Sequence, residues 1–308
     1  MESDLKTVCV VMSAYNGEKY IKRQIDTIYR QKNVRIIMVV RDDGSTDNTI
    51  GVLKELNNKY HTIQIIEGEN VGFAKSFCKA LKAASEADYY AFSDQDDIWH
   101  DDKLIKGITE LEKHNSEKPL LFYSNRMSVT ENLEPIGPVS KDNRPTSRIG
   151  ALCQNYVAGC VMLFNRAAKE ILTKYEPNYP EGKYWSHDFW TGCLLFITGE
   201  VYYSDECLMD YVRYDNSVSS GGNIILTHKR KIKDFFYGKA LYENHAHNLL
   251  AGYSEYFDDY EKEFLIMLRD YKKNFKYKLR IIFNKDFERQ NLIGTIALKS
   301  AVLFNRFG

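Results

Sequence analysis

The sequence predicts an α/β fold with a mostly parallel sheet, because short apolar segments alternate with amphipathic segments through the first 118 residues. The apolar segments are continuous, as expected of strands that are buried on both faces. The amphipathic segments repeat apolar residues every three or four positions, which is typical of helices that cover a sheet. With 308 residues, the chain can form one large domain or two small ones.

The alternation places four strands and four helices in order. The predicted elements are strands at 7–12, 35–40, 62–67 and 88–93, and helices at 18–31, 45–60, 72–85 and 102–114. Beyond residue 118 the pattern changes to a strand at 119–129, a long proline-containing loop at 131–150 and a core segment at 155–165. Helices are expected again from 240 to 271.

The composition excludes several classes of protein. Lys and Arg together number 42, as do Asp and Glu, and this balance argues against a dedicated nucleic-acid-binding protein. The six cysteines form no CxxC pair and lie in apolar runs, which indicates buried thiols in a reducing cytoplasm rather than a zinc site. We see neither a signal peptide nor an apolar run long enough to span a membrane.

Polar turns follow three of the predicted strands. Residues 14–17 follow the first strand, Asp42 and Asp43 follow the second, and Asp94 and Asp96 follow the fourth. Ligands of parallel sheets bind at the edge formed by the carboxyl ends of the strands, so we expect these turns to form one site. Neither a GxGxxG motif nor a P-loop is present, and a nucleotide would therefore be held by side chains and a metal.

Asp94 and Asp96 are one residue apart and can share a divalent cation if the backbone turns between them. Mg²⁺ or Mn²⁺ typically takes one or two protein carboxylates and completes its coordination with substrate phosphates and water. A solvated acidic turn that caps the next helix is the alternative, and the Asp43–Gly44 pair is likewise a common turn. The position of both acidic pairs at strand ends favours a site.

Four segments, in this order and at these separations, resemble family 2 glycosyltransferases of the GT-A fold: VVMSAYNGEKYIKRQIDTI, VVRDDGSTDNT, ENVGFAKSF and FSDQDDIW. The SDQDDIW form is most similar to bacterial rhamnosyltransferases and related enzymes of cell-surface polysaccharide synthesis. The resemblance implies a GT-A domain at 1–225, with a nucleotide-sugar half at 1–118 and an acceptor half at 119–225. A helical C-terminal region at 226–308 would follow.

The resemblance also implies roles for individual residues. The nucleotide-sugar donor would contact ten of them: Ala14, Tyr15, Asn16, Asp42, Asp43, Gly72, Lys75, Asp94, Gln95 and Arg213. Mn²⁺ or Mg²⁺ would bind to Asp94 and Asp96, with Asp96 closer to the metal and Asp94 nearer to the ribose. Lys75 stands where many relatives carry an arginine, and a solvated helix face explains this lysine equally well.

The segment YWSHDFW at 184–190 is similar to the element that supplies the general base in this family. The resemblance implies that Asp188 removes the proton of the acceptor hydroxyl in an inverting transfer. His187, Trp185 and Trp190 would contact the acceptor. Taken without the resemblance, Asp188 is more simply interpreted as a helix N-cap flanked by core aromatics.

One segment departs from the family pattern. Many rhamnosyltransferase-like relatives have a sequence of the form YRxHGxN after the base, whereas this chain has YVRYDNSVSSGGN at 211–223. Tyr214 stands in place of the histidine and Val212 in place of the arginine, although Arg213 could still reach a diphosphate. This departure leaves the identity of the donor sugar open.

We therefore expect an inverting, metal-dependent glycosyltransferase. The donor would be dTDP-L-rhamnose, or else a UDP-sugar that carries glucose, galactose or an N-acetylhexosamine, and the acceptor would be a cell-surface polysaccharide or lipid-linked glycan. A nucleotidyltransferase is disfavoured, because SAYNGEKY is not a basic glycine-rich loop. A noncatalytic GT-A-like binding protein is disfavoured because Asp94, Asp96 and Asp188 are all present.

The segment 271–308 is basic, with aromatic and aliphatic residues between its lysines and arginines. A basic amphipathic helix of this kind can lie on an anionic membrane surface. A solvated face packed on the catalytic domain and a homodimer contact are equally good explanations. We expect a cytoplasmic protein with peripheral contact to the inner face of the cell membrane.

Overall fold

A computed structural model of the chain describes residues 5–139, 144–179, 186–214 and 241–305. Its centre is a nine-stranded sheet. Eight strands follow one another in this order: β3 (Ile63–Glu67), β2 (Arg35–Asp42), β1 (Thr7–Ala14), β4 (Tyr89–Ser93), β8 (Met162–Asn165), β6 (Leu120–Val129), β9 (Glu200–Val212) and β5 (Ile98–Trp99). The ninth, β7 (Pro135–Pro138), pairs with the last residues of β6. The first half of the sheet is parallel, as the alternation of strands and helices predicts. The second half is mixed, because β8 runs antiparallel to both β4 and β6.

The predicted strands and helices of the first half are present with small shifts at their ends. They are β1 (Thr7–Ala14), α1 (Ile21–Ile28), β2 (Arg35–Asp42), α2 (Thr49–Tyr60), β3 (Ile63–Glu67), α3 (Phe73–Ala83), β4 (Tyr89–Ser93) and α4 (Lys103–Leu111). The register pairs Ala14 with Asp42 across β1 and β2, and Met12 with Ser93 across β1 and β4. The polar turns after these three strands therefore share one edge.

The second half differs from the sequence prediction in its strands. Its elements are β5 (Ile98–Trp99), β6 (Leu120–Val129), β7 (Pro135–Pro138), β8 (Met162–Asn165), α5 (Arg166–Lys174), α6 (His187–Thr198) and β9 (Glu200–Val212). Strand β7 lies within the predicted loop at 131–150, and it pairs with β6 at the sheet margin, where proline is tolerated. The long strand β9 was not predicted.

Four α-helices lie in the described part of the C-terminal region, residues 241–305. They are α7 (Leu241–Tyr253), α8 (Asp259–Asp270), α9 (Phe275–Phe283) and α10 (Leu292–Leu303). Tyr253, Phe264 and Phe287 are fully buried in the same apolar core as the sheet, so this region packs on the sheet domain. The predicted boundary at 225/226 lies outside the described residues. None of the described helices is long and apolar enough to cross a bilayer.

Candidate active site

The loop after β1 is joined to the turn after β2 by side-chain hydrogen bonds. Asn16 adopts a left-handed conformation with φ of 49°, and its Oδ1 atom accepts from the Thr46 N–H at 2.8 Å. The Asn16 N–H donates in turn to Ser45 Oγ at 2.9 Å. Asparagine tolerates left-handed backbone better than most residues do, which explains its use here. Ala14, the last residue of β1, is fully buried below this loop.

Gln95 fixes the same loop from the β4 side. Its Oε1 atom accepts from the Tyr15 N–H at 3.0 Å, and its Nε2 atom donates to the Tyr15 carbonyl at 3.1 Å. A Cβ on Gly17 would come within 2.5 Å of Gln95 Oε1, so only glycine leaves room for this amide. The Tyr15 side chain is exposed on the rim. Gln95 thus positions Tyr15, and its predicted contact with the donor stays a prediction.

Asp42 holds the turn that follows β2. Its two carboxylate oxygens accept from the Ser45 N–H at 2.9 Å and from Ser45 Oγ at 2.5 Å. These two hydrogen bonds stabilise the turn, which agrees with the alternative that this segment is an ordinary turn. The carboxylate is almost fully buried, and any contact with a base or ribose would use its remaining lone pairs.

Asp43 connects β2 to the start of α3. Its carboxylate is paired with the buried Arg41 guanidinium and accepts from the Val71 and Gly72 N–H groups, each at 2.9 Å. Gly72 has φ of +82°, a conformation that a residue with a Cβ adopts only with strain. Asp43 therefore has an internal structural role, and a direct contact with the nucleotide stays a prediction.

The two predicted cations of the donor site have exposed side chains. Lys75 lies in the first turn of α3, and Arg213 directly follows β9, where its N–H donates to the Val129 carbonyl at 2.9 Å. Neither side chain forms an ion pair with any other residue in the described ranges. Both remain available to an anionic ligand.

Three aspartates after β4 occupy different environments. Asp94 is partly exposed, Asp97 is fully buried, and ligand atoms of Asp94, Asp97 and Cys160 lie within 4.8 Å of one another. Burial, aided by the negative charges of Asp96 and Asp188, raises the pKa of Asp94 to about 7. Burial also raises the pKa of Asp97 and of the Cys160 thiol well above their ordinary values.

Arg126 is the cation of this cluster, and the sequence analysis missed it. Its Nη1 atom donates to Cys160 Sγ at 3.3 Å, and its guanidinium lies 4.6 Å from the centre of the Tyr211 ring. Its charge opposes the rise in the pKa values of Asp94 and Asp97. The sequence did contain a feature that could have indicated Arg126, because polar residues interrupt the apolar run of β6 at this point. In the structure, the pairing of β6 with β9 shifts register at the same place.

Tyr214, which stands in place of the family's histidine, supports the loop that carries the aspartates. Its hydroxyl accepts from Arg23 Nη2 at 2.7 Å and donates to the Asp96 carbonyl at 3.2 Å. Arg23 Nη2 also donates to the same carbonyl at 3.2 Å. The substitution therefore gives the residue a structural contact with the backbone of Asp96. The rest of the departing segment, 215–223, lies outside the described residues.

Asp188 lies in the first turn of α6, which begins at the N-cap residue Ser186. Asn155 Nδ2 donates to Asp188 Oδ2 at 2.9 Å and holds the carboxylate in place. A cleft of about 170 Å³ is lined by Asn155 and Arg126, whereas Asp188 itself is not one of its lining residues. The charge of Asp188 contributes to the raised pKa of Asp94, so these two carboxylates lie close enough to influence each other.

The aromatic neighbours of Asp188 are buried instead of lining the cleft. His187 is 6% exposed, stacks on Phe77 at 3.8 Å between ring centres, and makes no hydrogen bond through its ring nitrogens to the described residues. Trp190 is 2% exposed and packs against Tyr253 and His245 of α7. Both rings are largely covered in this conformation although they line a small cavity, and their predicted contact with the acceptor stays a prediction. Trp185 lies outside the described residues.

The first half of the sheet is parallel and has polar turns at its carboxyl edge. The second half is mixed and carries the carboxylate of Asp188. This combination defines the GT-A class of fold. Comparison with known proteins agrees with this class. Residues 9–172 match the family described as glycosyl transferase family 2, and the chain belongs to that family.

Similar proteins include two bacterial enzymes. The chain is 39% identical over 110 residues to the dTDP-rhamnosyl transferase RfbG of Shigella flexneri, a match that spans 34% of this chain and 38% of RfbG. It is 29% identical over 155 residues to an Escherichia coli enzyme, the UDP-Glc:alpha-D-GlcNAc-diphosphoundecaprenol beta-1,3-glucosyltransferase WfgD. That match spans 50% of this chain and 58% of WfgD.

A solved structure shares the fold. The crystal structure of S. aureus TarS 1-349 in complex with UDP-GlcNAc aligns with a TM-score of 0.60 at 17% identity, and the alignment covers 89% of this chain and 76% of TarS 1-349. At this level of identity, the similarity establishes the GT-A fold alone.

Proposed function

We propose that this family 2 glycosyltransferase moves a sugar from a nucleotide diphosphate donor to a glycan hydroxyl in a single, inverting displacement. The observation that carries the proposal is the hydrogen bond between Asn155 and Asp188, together with a position of Asp188 close enough to Asp94 for its charge to act on that carboxylate. Asn155 also lines a cleft together with Arg126. Such a displacement needs a base on one side of the sugar and a charged site for the leaving group on the other side.

The donor would lie along the rim, with its base near Tyr15 and its diphosphate near the aspartates. The exposed Tyr15 ring offers a stacking surface, and its backbone is held by Gln95. Lys75 and Arg213 are exposed cations that could contact phosphate oxygens. The other predicted donor contacts, Ala14, Asn16, Asp42, Asp43 and Gly72, would act mainly by shaping this rim.

Mn²⁺ or Mg²⁺ would be held by Asp94 and Asp96. Oxygen ligands on a partly exposed loop suit these ions, which keep several waters or phosphate oxygens. Asp97 and Cys160 form a less suitable set, because Asp97 is fully buried and a thiol is a poor ligand for hard cations. When bound, the ion would supply positive charge to the departing diphosphate.

Asp188 would accept the proton of the acceptor hydroxyl as the hydroxyl oxygen bonds to the anomeric carbon. The bond between that carbon and the diphosphate oxygen breaks in the same step, and the diphosphate leaves with the electron pair. Asn155 would keep the carboxylate oriented towards the cleft through its 2.9 Å hydrogen bond. Arg126 would add positive charge on the side where the diphosphate departs.

The donor is proposed to be dTDP-L-rhamnose, because the relative RfbG is a dTDP-rhamnosyl transferase. A UDP-sugar is the second candidate, since WfgD uses UDP-Glc and TarS was crystallised with UDP-GlcNAc. A lipid-linked glycan is the proposed acceptor, because the WfgD acceptor is a sugar on diphosphoundecaprenol.

The test combines calorimetry with Asp188→Asn. We expect one of dTDP-rhamnose, UDP-glucose, UDP-galactose and UDP-N-acetylglucosamine to bind in a manganese-dependent way. Asp188→Asn should keep donor affinity within about twofold and lower transfer roughly 100-fold or more, because it removes the base and keeps the shape. Asp101→Asn is the matched control, because it neutralises a partly exposed carboxylate that pairs with Arg30. Near-normal transfer by Asp188→Asn would refute the base assignment.

The metal assignment has its own variants. Asp96→Asn should abolish the effect of manganese on donor binding, whereas Cys160→Ser should preserve it. The opposite result would locate the ion at Asp94, Asp97 and Cys160. If none of the four donors binds wild-type protein with or without manganese, the noncatalytic alternative becomes the better account.

A further inference from the structure

An apolar surface on the last two helices has no explanation in the proposed sugar transfer. Half of the exposed large hydrophobic side chains in the described ranges lie between residues 275 and 304. The six most exposed of them all lie there: Phe275, Phe283, Leu292, Ile293, Ile296 and Phe304. Ile293 is 82% exposed and Phe283 is 79% exposed, which is unusual for side chains of this size.

The spacing of these residues makes a continuous stripe on each helix. On α9, Phe275, Leu279 and Phe283 recur every four residues and therefore share one face. On α10, Leu292, Ile296 and Leu303 share a face in the same way, with Ile293 beside them. The opposite side of each helix is anchored, since Ile281 and Leu298 are buried in the core. The two helices pack against each other.

The charged residues around the stripes are mostly basic. Lys276 and Lys278 flank the α9 stripe, and Lys285 follows the helix. None of these three lysines forms an ion pair within the described part of the chain. Asp286 and Glu288 are the only acidic residues between 271 and 305.

We infer that α9 and α10 dock on an anionic lipid bilayer, with the apolar stripes inserted at the headgroup–acyl boundary and the lysines against the lipid phosphates. Charge complementarity selects this occupant, because a large apolar stripe bordered by unpaired cations fits an anionic bilayer surface. A second copy of the chain would bring the same lysines close together. Burying exposed Phe, Leu and Ile side chains supplies affinity, and the lysines add an attraction that salt screens.

The inference does not depend on the proposed transfer, and its test has a separate readout. The full chain would be mixed with vesicles of phosphatidylcholine alone or of phosphatidylcholine with an equal part of phosphatidylglycerol, and then separated by flotation. We expect binding to the mixed vesicles that weakens as salt rises. Ile293→Ser and Phe283→Ser should each lower the partition coefficient roughly tenfold, since each removes one inserted side chain.

Lys276→Ser and Lys285→Ser should each weaken binding to the mixed vesicles about fivefold and leave binding to neutral vesicles unchanged. Ile136→Ser on β7, an exposed residue far from α9 in sequence, is the matched control and should bind as wild type does. Equal binding to neutral vesicles would overturn the anionic-surface inference. Failure to float, together with a dimer that Phe283→Ser converts to monomer, would show that the stripes are an interface between two copies.

Discussion

Acid should destabilise this protein through a histidine buried beneath the helix that carries Asp188. His245 of α7 is fully buried, its Nδ1 atom is 2.8 Å from the Tyr179 hydroxyl, and its ring packs against Phe189 and Trp190 of α6. Burial lowers the pKa of His245 from 6.5 to about 3. The folded state therefore keeps this ring neutral at pH values where the unfolded chain protonates it.

Proton linkage gives the direction and the size of the effect of pH on the free energy of unfolding. Between pH 6.5 and about 3 the unfolded state binds the extra proton, so stability is complete above pH 6.5 and falls as the pH drops through this range. Each pH unit costs about 1.4 kcal/mol, and at about pH 5 this one side chain should have lowered the free energy of unfolding by about 2 kcal/mol. Protonation would also disturb the packing under Phe189.

The assay is urea unfolding at about pH 7.5 and about pH 5 for wild type and His245→Gln. The variant should be less stable at both pH values, yet its loss between them should be about 2 kcal/mol smaller than that of wild type. His247→Gln, in an exposed histidine on the same helix, should lose as much as wild type does. An equal loss in His245→Gln and wild type would refute the reasoning.

Two further predictions concern close contacts in the site. Gln95→Ala removes both hydrogen bonds to the Tyr15 backbone and should raise the donor dissociation constant three- to tenfold, or about 1 kcal/mol, in calorimetry; an unchanged constant would show that Tyr15 does not need this support. Gly159→Ala places a Cβ 2.4 Å from the Nε2 atom of the buried His187 and should cost ~1–3 kcal/mol of stability in urea unfolding. Gly192→Ala, whose Cβ would meet nothing closer than 3.9 Å, is its control and should cost nothing; equal losses would contradict the clash.

The first half of the fold could be predicted because local sequence and tertiary structure agree there. Strands such as Thr7–Ala14 are buried on both faces, so they appear as continuous apolar runs. Strand β9 escaped prediction because its residues are only partly buried and include several charges, so neither an apolar run nor a clean alternation marks it. Its pairing with β6 is a long-range contact that no local pattern encodes.

The site was predictable in its location but less so in the roles of its residues. The strand-end rule locates Asp42, Asp43 and Asp94 at one edge, since it depends only on topology. Whether a carboxylate faces a ligand or the protein depends on neighbours that are distant in sequence. Asp43 is enclosed by Arg41 and by the backbone of α3, and these contacts appear only once β2 and α3 are packed.

The three aspartates after β4 differ in their surroundings. Asp97 lies in the core beside the Arg126 guanidinium, which lessens the cost of its burial, while Asp96 extends to the rim and its carbonyl is held by Tyr214 and Arg23. Burial and the nearby negative charges of Asp96 and Asp188 raise the pKa of Asp94. A nearby cation would favour the ionised form of this carboxylate, so a divalent ion at Asp94, as proposed above, should lower the pKa of Asp94.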